Sequence, residues 1–146
     1  MKVEIKIDEK IKENRVIVEA NEMTEEISDI ISSINNKTNN KLKVFLDEEM
    51  FLLNIDEIES AYANDKKVFI KTKDKEYVSK QRLYELEDIL PRNKYIRISN
   101  SEIINLNKVK SINTKITGTI VITFYSGYQT YSSRRYINKI KEALGI

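Results

Sequence analysis

The chain has 146 residues, 40% of them hydrophobic, with no Cys, no His and a net charge of +2. That length suits one domain with a small appendage, and the apolar content fills a core. The missing thiols and imidazoles exclude cysteine nucleophiles, histidine bases, disulfides and the usual zinc sites, and no apolar run approaches the roughly 18 residues of a membrane span.

The first fourteen residues, MKVEIKIDEKIKEN, are charged throughout and lack the apolar centre of a signal peptide, so a cytoplasmic protein is expected. Val3, Ile5 and Ile7 alternate with charged residues, the period of a half-buried strand, and Val16 to Val18 form a second short β-branched run. In TEEISDIISSIN, Ile27, Ile30, Ile31 and Ile34 fall on one helix face. Thr24 can cap that helix, and Glu25 and Glu26 sit where its dipole favours anions. The apolar-free segment 35–41, NNKTNNK, reads as a linker.

Beyond it the pattern is mostly strands. Leu42, Val44 and Leu46 alternate, and Met50 to Leu53 is a continuous apolar run. Further short strands are expected at 58–62, 68–72, 76–78, 95–98, 103–105, 109–112, 119–125 and 129–132, with Ser126-Gly127 as a hairpin signal. Two helices interrupt: KQRLYELEDIL, with Ser79 as its cap and Pro91 just past its end, and RRYINKIKEALG, capped by Ser132 or Ser133. The eight tyrosines could stack on bases, but several fall inside strand and helix patterns, where packing is their use.

Charge is divided along the chain. Residues 1–65 hold 8 Lys and Arg against 16 Asp and Glu, a net of −8, whereas residues 66–146 hold 17 against 7, a net of +10. A basic half can mark contact with a polyanion, or simply a soluble surface. Three stretches carry candidate contacts. In YSSRRYINKIK, Arg134 and Arg135 open a helix whose dipole disfavours cations there; either an anion is met at that point or Arg135 pairs with a nearby carboxylate. In RISNSEIINL, Ser99, Asn100 and Ser101 interrupt an apolar run. Asn100 offers the acceptor and donors that match adenine N6 and N7, or else supplies a left-handed turn position. In ANDKK, residues 63–67, Lys66 and Lys67 either touch DNA or form a charged hairpin tip.

The order of these pieces resembles the LytTR family of bacterial DNA-binding domains. The resemblance lies in Leu83-Tyr84-Glu85-Leu86-Glu87, then Tyr95, Arg97 and Ser99-Asn100-Ser101, then Ile104-Asn105-Leu106 and Val109 to Ile112, and finally Gly127 and Ser133-Arg134-Arg135, covering roughly residues 42–146. It implies an α+β, mostly β fold: an elongated arrangement of small antiparallel sheets with short helices, which the pattern of residues 1–41 precedes with a short β-strand and helix extension. It implies a sequence-specific transcriptional regulator, not an enzyme, with no metal and no cofactor, whose loops enter successive major grooves of double-stranded DNA at repeated promoter sites. Asn100 and Arg135 match the family's base contacts. A third contact falls in ANDKK, where some members carry His; Lys66 is the choice there, with Lys67 or Asp65 beside it. Ser99, Ser101, Ser133, Arg134 and Lys139 would touch phosphate or position the loops.

The best-known members of the family carry a receiver domain, for which 41 residues are too few, so phosphorylation switching is not expected. Some short regulators of this shape are encoded beside a small membrane protein that restrains them. The extension could therefore pack on the β-domain, mediate a homodimer, or receive such an inhibitor. The alternative class is a protein-interaction module whose basic face meets an acidic protein or membrane surface.

Overall fold

The computed structural model describes residues 1–38, 40–114 and 119–145, and the chain divides into two compact units, Met1–Asn39 and Asn40–Ile146. In the first unit the only regular element among the described residues is helix α1, Glu25–Thr38. The Thr24 hydroxyl accepts the Ile27 N–H at 3.3 Å, and Glu25 and Glu26 occupy the first turn, as the capping pattern requires. Two expectations fail here. The stretches Val3–Ile7 and 16–18 form no strand, and Val3, Ile5 and Ile7 remain more than 80% exposed. Alternation marks a face that could be buried, but a strand also needs a neighbour to hydrogen-bond with, and the described residues of this unit offer none. The 35–41 stretch is not a free linker either. The helix runs on through Thr38 and the next strand starts at Lys41, while Asn39 lies outside the described residues. Asn costs only about 0.7 kcal/mol per helical position, too little to end a helix already nucleated and capped.

Among its described residues the second unit holds ten strands and two short helices. Strands β1 (Lys41–Leu46) and β2 (Glu49–Asn54) form a hairpin, followed by a 3-10 turn and by β3 (Ile58–Asn64), β4 (Lys67–Thr72) and β5 (Glu76–Ser79). Helix α2 (Leu83–Ile89) leads to the hairpin of β6 (Tyr95–Ser99) and β7 (Glu102–Asn105). After β8 (Val109–Asn113), β9 (Val121–Phe124) and β10 (Gln129–Tyr131), a 3-10 turn, Arg134–Tyr136, opens helix α3 (Ile137–Leu144). The strands form a seven-stranded antiparallel sheet of order β2-β1-β5-β4-β3-β7-β6 and a three-stranded sheet of order β10-β9-β8.

Helix boundaries differ from the sequence reading. Ser79 does not cap α2; its hydroxyl accepts the Gln81 N–H at 3.1 Å, and the helix starts at Leu83, where Glu85 reaches back to the Arg82 N–H at 3.2 Å. Pro91 follows the helix end as expected. The last helix starts later than RRYINK suggests. Ser132 is buried, its hydroxyl taken by the Ile120 N–H at 3.1 Å, and Ser133 precedes the 3-10 turn without a side-chain cap bond.

Two apolar clusters hold the unit together, and the β6–β7 hairpin belongs to both. Tyr95 and Ile103 join Leu42, Val44, Ile58, Ile70, Leu83 and Leu86 in the first. On the opposite face of the same hairpin, Ile96, Ile98 and Ile104 join Ile120, Ile122, Phe124 and Ile140 in the second. A hairpin buried on both faces has near-continuous apolar strands. Its solvent-exposed tip must be polar, which is why Ser99, Asn100 and Ser101 interrupt the run.

Candidate nucleic-acid interface

The three candidate stretches meet at one end of these strands. The tip of the β3–β4 hairpin turns at Asp65 and Lys66, both with positive φ (51° and 65°), as a two-residue hairpin on twisted strands requires. This displays Lys66 and Lys67 to solvent, and neither makes an ion pair among the described residues. The Ala63 N–H donates to the Ser101 carbonyl at 2.8 Å, tying this hairpin to the β6–β7 turn. The Ser133 N–H donates to the Ile98 carbonyl at 2.9 Å, which brings the start of the last helical segment to the same turn. Arg134 and Arg135 are exposed there, and among the described residues neither guanidinium is paired with a carboxylate.

Asn100 is exposed at the tip and does not occupy the left-handed region. The turn is shaped by Ser99, whose hydroxyl accepts the Ser101 N–H at 3.2 Å and lies 3.3 Å from the Ser101 hydroxyl. Two hydroxyls sharing one bond leave one O–H donor for an outside acceptor. Lys139 stands apart from this group: its ammonium lies 4.0 Å from Glu87 on α2. That is a long, solvent-screened pair, which leaves the cation available to another anion.

Three residues outside the candidate set organise the turn. Arg97 is largely buried on β6, and its guanidinium donates to the Ser99 carbonyl at 3.0 Å, to the Asn100 carbonyl at 2.5 Å and to Glu87 Oε2 at 2.7 Å. The planar fork of arginine suits such a task, since its donors point at fixed angles. Glu87 holds the far side of that fork, and the Tyr136 hydroxyl donates to Asn100 Oδ1 at 3.1 Å. Arg97 lies beside apolar Ile96 and Ile98, and an arginine inside a buried strand is the one local signal that could have pointed to this brace.

Beneath the turn, Glu102 is a buried carboxylate that joins the two sheets. It accepts from Ser60 on β3 at 2.5 Å, from Tyr128 at 3.0 Å and from Thr130 on β10. Burial, and then the Glu102 charge, push the Tyr128 phenol up to about 12. Asn105, of the Ile104-Asn105-Leu106 stretch, is buried and bonds the Ile58 carbonyl at 2.9 Å and the Asn107 N–H at 3.0 Å, so its role is in the fold. Of the eight tyrosines, Tyr77 and Tyr95 are buried, Tyr62, Tyr128 and Tyr136 half-buried, and Tyr84, Tyr125 and Tyr131 exposed.

The family model of the LytTr DNA-binding domain matches residues 48–145. The chain belongs to this family. It is 33% identical over 147 residues to an uncharacterised HTH-type transcriptional regulator of Staphylococcus aureus strain MSSA476, and 32% identical to one of strain NCTC 8325, covering 100% of this chain and 99% of each relative. The match extends over the first 39 residues as well as the β-rich unit. Among solved structures, the LytTr DNA-binding domain of a methyl-accepting/DNA response regulator from Bacillus cereus superimposes with a TM-score of 0.71, covering 73% of this chain and 98% of that one at 22% identity. The fold is therefore the mostly β LytTr fold. Although the relatives are named for a helix-turn-helix, α2 and α3 here are separated by five strands. No helix among the described residues is long and apolar enough to cross a membrane.

Proposed function

We propose that this chain is a cytoplasmic, sequence-specific regulator of transcription that reads double-stranded DNA through loops placed in the major groove, without catalytic activity of its own. The observation that carries this reading is the convergence of Lys66, Lys67, Arg134 and Arg135, without ion-pair partners among the described residues, with Asn100 on three loops joined by backbone hydrogen bonds. Stability alone gives no reason to gather unpaired cations at one place, whereas a polyanion does. Asn100 and Arg135 read base edges. Lys66 and Lys67, with the hydroxyls of Ser99, Ser101 and Ser133 and the charges of Arg134 and Lys139, neutralise or position phosphates.

Two copies on a repeated promoter site follow from the same reading. The N-terminal unit, with Val3, Ile5, Ile7, Val16 and Ile17 exposed, is the surface for a second copy or for a small membrane-protein inhibitor. The test of the whole reading is selection of binding sites from random DNA, read by electrophoretic shift, with wild type beside Asn100→Ala and Arg135→Ala. A repeated motif should be enriched. Each variant should lose discrimination at a separate base position, by about 1–3 kcal/mol for a bidentate Arg135 contact. Weak, salt-sensitive binding without enrichment would sink it in favour of an interaction module with an acidic protein partner.

A further inference from the structure

We infer that Tyr136 is a positioning residue that decides what Asn100 reads: by holding the amide oxygen it turns the Nδ2 group toward DNA, so that Asn100 seeks a hydrogen-bond acceptor on the base edge. This inference rests on the proposed reading of the Ser99–Ser101 turn as a base-contacting loop.

A free asparagine amide can rotate to present either its oxygen or its nitrogen, and it recognises adenine by presenting both. Asn100 is not free. Arg97 holds its backbone carbonyl at 2.5 Å, and its side-chain Oδ1 receives the Tyr136 hydroxyl at 3.1 Å. The phenol proton is the acidic partner in this pair, which makes donation to an amide oxygen the favoured arrangement. Tyr136 is itself fixed. Its ring packs against the second apolar cluster, and its N–H donates to the Ser133 carbonyl at 3.1 Å. The one hydrogen-bonding group of Asn100's side chain left without a partner among the described residues is Nδ2.

The consequence is a rule about bases. In the major groove guanine presents N7 and O6, adenine N7 and thymine O4 as acceptors, whereas cytosine presents only its N4 donor. A fixed Nδ2 therefore accepts three bases and rejects cytosine. If the amide were released, its oxygen could turn outward and accept from cytosine N4. Tyr136 thus narrows the preference of a residue whose contact it does not make itself.

The test compares wild type, Tyr136→Phe and Asn100→Ala in random-sequence selection, followed by binding titrations on the four single-base variants of the selected site at several salt concentrations. Wild type should reject cytosine at the one position that Asn100→Ala makes indifferent. Tyr136→Phe, which keeps the ring and removes one hydrogen bond, should lower discrimination against cytosine there by roughly three- to tenfold and leave other positions and the salt dependence unchanged. Because discrimination is a ratio of affinities on the same protein sample, a partial loss of folded protein cancels from it. If Asn100→Ala erases one position while Tyr136→Phe matches wild type everywhere, Tyr136 is a packing residue and the inference is wrong. Cytosine preferred by wild type at that position overturns it too. If Asn100→Ala changes no position, the turn does not read bases, and its proposed role fails together with the inference.

Discussion

Two loops lie side by side at the end of the same strands and are built in opposite ways. The Ser99–Ser101 turn is held from several sides: Arg97 grips two of its carbonyls, Ala63 a third, Tyr136 its amide, and Ser99 folds back on Ser101. At the neighbouring β3–β4 tip, Asn64 lies opposite Lys67 and the Ala63 N–H ties the hairpin to the turn beside it, but the two lysine side chains have no ion-pair partner among the described residues. The difference matches two tasks in the proposed interface. A base edge is recognised by donors and acceptors at fixed angles, so the group that reads it gains from being held before DNA arrives. A phosphate is recognised by charge, and a mobile ammonium meets it with little loss from imperfect placement.

The largest expected effect removes the ground on which both loops stand. Glu102→Ala would leave the hydroxyls of Ser60, Tyr128 and Thr130 without their acceptor and remove the polar half of the join between β7 and the small sheet, leaving the apolar packing of Ile104. We expect a loss of about 3 kcal/mol in urea unfolding, with both loops impaired together. A loss below about 1 kcal/mol would show that the carboxylate does not join the sheets.

Arg97→Ala should separate the two loops. It frees the carbonyls of Ser99 and Asn100 and leaves Glu87 without its close partner, at an expected cost of about 2 kcal/mol in stability. Base discrimination at the Asn100 position should fall, while the salt dependence that the lysines contribute stays at its wild-type value. Arg97→Lys should restore little, because an ammonium cannot span two carbonyls and a carboxylate in one plane. Equal loss of affinity for all sequences would mean that the brace serves general folding and not the turn.

Much of this was readable locally, and the remainder was long-range. The period-2 strands, the helix ending before Pro91 and the polar interruption at Ser99 to Ser101 are all encoded by neighbours in the chain. The brace is not: Arg97 reaches Glu87 across ten residues, and Tyr136 reaches Asn100 across thirty-six. Glu102 gains its partners only when β3, β10 and the turn between β9 and β10 bring their hydroxyls to it. The opposite error occurs in the first 24 residues, where a strand pattern finds no partner strand among the described residues of its own unit. Ser79 and Ser132 stand where the pattern predicts helix caps and serve other N–H groups for a related reason. A serine hydroxyl can serve a turn or a neighbouring strand as well as a helix start, and the sequence does not say which backbone N–H will be nearest.

The smallest effect is the one that sharpens the comparison most. Lys66→Ala and Lys67→Ala remove no side-chain hydrogen bond seen among the described residues, so stability should change by less than about 0.5 kcal/mol. Lys66 sits at φ 65°, a conformation that alanine tolerates no worse than lysine does, and both substitutions keep the same Cβ. Binding to every sequence should weaken by a similar factor, and the slope of log affinity against log salt should shrink by about 1 for each phosphate that is no longer neutralised. Titrations on the selected site and on scrambled DNA, each over a range of salt, measure both quantities. A change in base preference with Lys66→Ala would make this loop a reader like its neighbour, and the absence of bracing would then have to be supplied by DNA itself, ordering the tip only when bound. A uniform loss instead fixes the division of labour: one loop whose reading group is held to tell bases apart, and one whose lysine side chains, unpartnered among the described residues, meet the backbone.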